Sequence, residues 1–255
     1  MKLAVCLGRT GDLINILPAC KHLGIDNILV RPEYVNVLRG ASYIIPNVWE
    51  GDIEDLASAV NYAKTIADKV YVPQLFGSKQ PPGMPERKRV SFVQDQWDRL
   101  EPGLGDRWGQ FPLVFDCRDK EREKELLRHV IGTKVKPVLL FNLKGKSSPY
   151  PHTDAMMYFL KISCRDFELV NLSYLRTDYF YDLLALYENA AGMITTDTAT
   201  LHLARACPQL PVFQLRRDGT DGTLPMGRIT QSYSHETFEN MNVFFSTLMK
   251  TEKGE

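Results

Sequence analysis

The sequence has no excess of charge of either sign: 31 Lys and Arg balance 31 Asp and Glu over 255 residues. A neutral chain gives no long-range electrostatic argument for nucleic acid or an anionic membrane as a partner. Cysteine is sparse. Cys6, Cys20, Cys117, Cys164 and Cys207 form an odd, widely spaced set without a C-x-x-C pair. That spacing excludes a disulfide framework and a cysteine-based zinc site, and it predicts five reduced thiols, most of them small core residues. Long apolar runs are missing as well. No stretch approaches the ~20 residues that span a bilayer, and the apolar start MKLAVCL is too short for a secretory signal. The expectation is a soluble, cytoplasmic protein. Repeats and low-complexity tracts are absent. A composition of 44% hydrophobic and 24% charged residues is that of a globular chain able to bury a core without disulfides or metal.

What the sequence does have is alternation. Short apolar runs take turns with longer amphipathic ones, the pattern of an α/β fold with parallel sheets. In the first half this predicts strands over 3–7, 27–30, 43–45, 69–72 and 113–115. Helices are predicted over 13–23, 32–38, 53–67, 92–100 and 119–131. The stretch 77–89, GSKQPPGMPERKR, is rich in proline, glycine and basic residues and reads as a surface loop, or as a basic contact surface for an acceptor. A fresh apolar run at 137–141 restarts the alternation, with further strands over 167–172, 193–195 and 211–215. Helices follow over 153–162, 178–190, 198–206 and 235–249, and 216–233 reads as a polar loop. Two consecutive strand–helix halves predict two Rossmann-like open parallel-sheet domains, 1–135 and 136–255. The closing helix is expected to pack back on the first domain.

Three strand ends carry chemistry. Gly8, Arg9, Thr10, Gly11 and Asp12 join the first strand to its helix, where open α/β sheets bind ligands. Asp12 would begin that helix, either as a simple cap or with its carboxylate at the mouth of a crevice. The stretch 142–148, NLKGKSS, follows the strand at 137–141. Its Lys144 and Lys146 suit a diphosphate or an ordinary solvated turn. The third segment, 193–204, ends a strand at Asp197 and starts a helix at once. The amides of Thr198, Ala199 and Thr200 could hold phosphate; otherwise Asp197 or Thr198 is a cap and His202 a satisfied core or surface histidine. The spacing matches neither a dinucleotide fingerprint nor a P-loop. No strand-end Asp-x-Asp metal site is present, since Asp218 and Asp221 sit in a loop-like run.

In this order the segments resemble glycosyltransferase family 9, the heptosyltransferase-like enzymes. Gly11-Asp12 followed by Leu17-Pro18-Ala19 is similar to the start of that family, and 28–40, ILVRPEYVNVLRG, to its second strand and helix. The stretch 183–204, LLALYENAAGMITTDTATLHLA, is similar to its apolar helix, strand and Asp-Thr-Gly-x-x-His-Leu-Ala turn. The resemblance covers both ends of the chain and is weak over 75–135. It implies a GT-B fold with the active site between two domains. It also implies inverting, metal-independent transfer of a sugar, with a nucleotide-sugar donor as substrate and no further cofactor. Asp12 falls at the position of the family's catalytic base, and Asp197, Thr198 and His202 fall in its donor-binding turn. Two positions depart from the pattern. Ala199 stands where the family has glycine, and a positive φ there would strain alanine by about 1 kcal/mol. With Tyr150-Pro151 aligned to the family's Trp-Pro pair, Ser148 stands where a lysine is usual. The acceptor is open: a glycan, a lipid-linked glycan or a modified DNA base. Two other readings stay beside the main one. In a DNA-modifying glycosyltransferase the basic residues of 79–89 would hold a phosphate backbone. A non-catalytic nucleotide-sugar binder would fit the changes at Ala199 and Ser148, whereas retention of Asp12 speaks against it.

Overall fold

A computed structural model of the chain describes residues 1–73, 83, 91–133, 135–145, 150–216, 229–232 and 236–252. It divides into two compact units, Met1–Arg118 with Tyr179–Tyr181, and Asp119–Asp178 with Asp182–Glu255. The boundary expected near residue 135 from the apolar run at 137–141 compares with this division after Arg118.

The first unit is built on a parallel sheet of β1 (Lys2–Val5), β2 (Asn27–Val30), β3 (Ile45–Val48) and β4 (Lys69–Tyr71), in the order β3-β2-β1-β4. Its helices are α1 (Thr10–Leu23), α2 (Val35–Leu38), α3 (Leu56–Ile66) and α4 (Phe92–Leu100). Residues 13–20 of α1 are all buried, so this helix runs through the interior rather than over it. It stops where Gly24 takes the left-handed conformation at φ 61°, with Ile25 N–H donating to Cys20 O at 2.9 Å; a side chain there would be strained. Leu3, Val5 and Leu7 pack with Leu29 and with Leu56, Ala59, Val60 and Ala63 of α3 to form a core.

The second unit repeats the plan. After α5 (Lys120–Val130) come β5 (Val138–Asn142), α6 (Thr153–Ser163), β6 (Glu168–Asn171), α7 (Leu184–Glu188), β7 (Gly192–Thr196), α8 (Ala199–Leu203), β8 (Val212–Leu215), β9 (Ile229–Ser232) and α9 (Thr237–Glu252). All five strands are parallel, in the order β6-β5-β7-β8-β9. Phe244 and Leu248 of α9 join Leu139, Phe141, Ile194 and Phe213 in the core of this unit. Gly192 lets α9 come close, since a Cβ there would lie 2.8 Å from the Leu248 side chain.

Three sequence expectations are corrected. Residues 113–115 form no strand: their segment bonds to the 40–43 turn instead, through Cys117 N–H to Gly40 O, Tyr43 O–H to Val114 O and Ser42 to Asp116. The helix expected over 178–190 shrinks to α7 behind a 3-10 turn at Phe180–Leu183. Tyr181 is drawn into the first unit, stacked on Phe115 with ring centroids 5.4 Å apart, which spoils the register of a long helix. The polar loop expected over 216–233 contains β9, because β8 offers a free edge that Ile229–Ser232 pairs with. Four of the five cysteines are buried and all five are free.

Candidate functional site

In the first unit the strand order reverses about β1, whose neighbours are β2 and β4. Crevices at such reversals, at the carboxyl ends of the strands, are where open α/β sheets take ligands. The chain leaves β1 there through Gly8, Arg9, Thr10 and Gly11. Helix α1 begins at Thr10, so Asp12 lies in its first turn rather than at its cap. The Asp12 carboxylate reaches back to accept the Arg9 N–H at 2.6 Å, which closes the turn and favours negative charge at a helix start. Neither Gly8 nor Gly11 has positive φ. Burial, and next the negative charge of Asp12, push the Cys6 thiol well above its ordinary value. Cys6 is thus an inert neighbour of Asp12 at the strand end.

In the second unit the order reverses about β5, between β6 and β7. Asn142 ends β5 and Thr196 ends β7. Thr200 Oγ1 is the hub between them. It accepts from Asn142 Nδ2 at 3.2 Å and shares hydrogen bonds with Thr195 Oγ1 at 2.9 Å and Thr198 Oγ1 at 2.7 Å. The Tyr187 hydroxyl donates to Thr200 O at 3.1 Å. His202 Nε2 lies 3.4 Å from Asp197 Oδ1. Thr200 and His202 are buried, whereas Asp197, Thr198 and Ala199 are only partly so. The polar face open to a ligand is therefore 197–199, backed by a hydroxyl cluster that fixes it.

Lys144 is exposed. Its backbone N–H donates to Asn142 Oδ1 at 3.1 Å, and its ammonium sits 4.9 Å from the centre of the Tyr174 ring. Lys146, Ser148, the basic stretch 79–82 and 84–89, Asp218 and Asp221 lie outside the described residues. No residue but glycine has positive φ among the described residues, so Ala199 is free of the strain considered above. Helix α8 has only five residues, too few peptide dipoles to add to a strong terminal field.

The structure thus gathers Asn142, Lys144, Asp197, Thr198, Thr200 and His202 at one sheet edge, and Asp12 with 8–11 at another. The sequence reading had no place for Thr195, Tyr174 or Tyr187. Thr195 lies next to the end of a buried strand and could have been found from its position. The two tyrosines carry no local signal. No group of three or more His, Cys, Asp or Glu side chains able to hold a metal occurs among the described residues. Nor is any helix among them long and apolar enough to cross a membrane.

No protein-family model and no curated protein matches this chain. Solved structures do. The chain is similar to an ADP-heptose lps heptosyltransferase II of E. coli (TM-score 0.67, 12% identity, 99% of each chain covered). A family 9 glycosyl transferase of Veillonella parvula matches at TM-score 0.62 and 11% identity over 96% of this chain and 90% of that one. An E. coli heptosyltransferase with ADP-2-deoxy-2-fluoro heptose matches at TM-score 0.54 and 15% identity over 97% and 99%. Identities this low speak for the fold, which is the α/β arrangement of two Rossmann-like parallel-sheet units found in these GT-B glycosyltransferases.

Proposed function

We propose that this protein is a heptosyltransferase-like glycosyltransferase, which moves a sugar from a nucleotide-sugar donor to an acceptor hydroxyl. The observation that carries the reading is the polar edge at β5 and β7, with Lys144 and the 197–199 turn held by the Thr200 hub. It occurs within a fold that matches heptosyltransferases over nearly the whole chain. An ADP-linked sugar is the first donor to try, because two of those structures are named with ADP-heptose or its fluoro analogue.

In this reading the first unit serves the acceptor and the second the donor. Asp12 takes the proton of the acceptor hydroxyl as that oxygen bonds to the anomeric carbon. The bond from that carbon to the diphosphate breaks on the opposite side, so the configuration inverts and the nucleoside diphosphate leaves with the electron pair. A carboxylate is a weak base, and it works because the hydroxyl acidifies as the new bond forms. Charge growing on the leaving diphosphate is met by Lys144, the amides of Thr198 and Ala199, and Lys146. Fixed donors of this kind stabilise a transition state because they need no reorganisation. Asp197, Thr200 and His202 hold the turn in shape. The amides and ammonium groups perform the task a metal would, so transfer is expected to continue in EDTA.

The test is a thermal-shift series with ADP-, UDP- and GDP-linked sugars, each with EDTA. A donor at 100 times its dissociation constant stabilises by about 2.7 kcal/mol. One that does so should also release nucleoside diphosphate when an acceptor is added. A chain stabilised by none of them is not a nucleotide-sugar transferase.

A further inference from the structure

Tyr174 is a large aromatic side chain that remains 72% exposed, and the donor reading above gives it no task. It closes the 3-10 turn Leu172–Tyr174 directly after β6. That turn is rigidly tied: Asn171 Oδ1 accepts from Ser173 N at 3.0 Å and from Ser173 Oγ at 2.7 Å, and Leu175 N–H donates to Leu172 O at 3.2 Å. An exposed ring on a fixed turn is presented rather than left loose. A single exposed ring is common on protein surfaces, so what this one can do is set by its place at the end of β6 and by the Lys144 ammonium beside it.

The position of the ring decides what it presents to. In open α/β sheets that bind nucleotides, phosphate sits at the end of the first strand. The nucleoside then extends over the end of the strand beside it, where an acidic residue usually takes the ribose. Here the first strand is β5, with Lys144 beyond its end, and the strand beside it is β6. The residue at the end of β6 is Asn171. It is an amide and not a carboxylate, and its side-chain oxygen is already engaged by Ser173. A ring face lies there instead, with the Lys144 ammonium 4.9 Å from its centre.

Resting on the donor reading, we propose that Tyr174 is the stacking platform for the nucleobase of the donor, and that Lys144 exchanges the ring for the diphosphate when the nucleotide enters. Base and ammonium suit the same ring, one by stacking and the other by attraction to the face. A nucleotide brings both a base for the platform and an anion for the lysine. Because a ring face reads no hydrogen-bonding edge, the platform tolerates different bases. The donor's base is therefore chosen weakly here, with purines, the larger surfaces, preferred over pyrimidines.

The experiment is calorimetric titration of the full chain with ADP, UDP and inorganic diphosphate, for wild type, Tyr174→Ala, Tyr174→Phe and Lys144→Ala. Removing a stacked aromatic weakens binding by roughly 5- to 150-fold per base. Tyr174→Ala should therefore lose at least fivefold for ADP, less for UDP, and leave diphosphate within about twofold. Tyr174→Phe keeps the face and should bind ADP nearly as wild type does. Lys144→Ala should weaken all three ligands. ADP binding that survives Tyr174→Ala unchanged overturns the platform while leaving the donor reading intact. An equal loss for ADP and diphosphate also overturns it, since the ring would then act only by holding Lys144. Wild type that binds none of the three overturns the donor reading and the platform with it. Matching melting temperatures of the variants check that each is folded.

Discussion

In the proposed mechanism Asp12 divides an enzyme from a binder by a single atom. Its carboxylate accepts the Arg9 N–H from within the first turn of α1, and an asparagine oxygen can do the same. Asp12→Asn should therefore fold and melt as wild type does, bind donor as wild type does, and lose about 10²–10⁴-fold in transfer, the usual worth of a positioned base. Turnover and melting temperature measured on one preparation check this; full activity in Asp12→Asn would leave the carboxylate a structural role only. Asp12→Ala removes the acceptor as well and should cost about 0.5–1.5 kcal/mol of stability, the usual worth of one hydrogen bond. One turn further along α1, Asn15 is fully buried, and neither polar atom of its side-chain amide has a hydrogen-bond partner among the described residues. A buried amide in that state costs about 1–3 kcal/mol. Asn15→Leu, close in size, should raise the melting temperature, and an unchanged or lowered value would point to a bridging water.

Among the elements, the turn between β7 and α8 depends on one hydroxyl. Thr200→Val keeps the shape but removes the partner of Asn142, Thr195 and Thr198. Leaving such buried groups unsatisfied should cost about 1–3 kcal/mol in urea unfolding, and the loosened 197–199 turn should weaken donor binding. Thr200→Ser, which retains the hydroxyl, should restore most of both. The segment that was expected to be a strand at 113–115 has its own anchor. Asp116 accepts from Ser42 N and Ser42 Oγ, each at 2.7 Å. Its carboxyl is held below the usual range because the bonds from Ser42, helped by Lys21, outweigh the opposing effect of partial burial. A carboxyl lowered on folding adds stability above its unfolded pKa, and that contribution fades as pH falls through the folded value. The stability gap between wild type and Asp116→Ala should thus be full at neutral pH and shrink below about pH 4, as thermal melts across that range would show.

At the scale of the molecule, two side-chain arrangements decide to which unit a segment belongs. Arg122 on α5 makes a forked pair with the buried Asp182, Nε to Oδ2 at 2.7 Å and Nη2 to Oδ1 at 2.8 Å. Helix α5 is thereby fastened to the second unit, although it precedes that unit's first strand. Arg122→Leu would leave a carboxylate buried without its guanidinium, and the expected loss is about 3–5 kcal/mol. The double variant with Asp182→Leu should recover much of it, a comparison that denaturant unfolding can make. Gly40 plays the matching part in the first unit. A Cβ there would come within 2.6 Å of the Tyr181 ring and 2.7 Å of Phe115, so Gly40→Ala should displace that stacked pair and destabilise the first unit.

The sequence by itself determined the architecture. Strand and helix periods are local properties, and runs such as 3–7 and 137–141 are apolar because both faces of a parallel strand are buried. The reading of two parallel-sheet units, and the placing of Asp12, Lys144 and 197–202 at strand ends, needed nothing more than that alternation and a family likeness. Tertiary structure alone decided the rest. Whether Ala199 is strained depends on a φ angle fixed by the hydroxyl cluster around Thr200, whose members come from three separate segments. Asp12 as a first-turn residue rather than a cap depends on where α1 starts, which Arg9 and the end of β1 set jointly. The truncated helix at 184–188, the unpaired segment at 113–115 and the strand at 229–232 all follow from distant partners: Phe115, Ser42 and β8. An exposed aromatic such as Tyr174 is likewise silent in the sequence, because exposure is a sum over everything that packs, or fails to pack, around it.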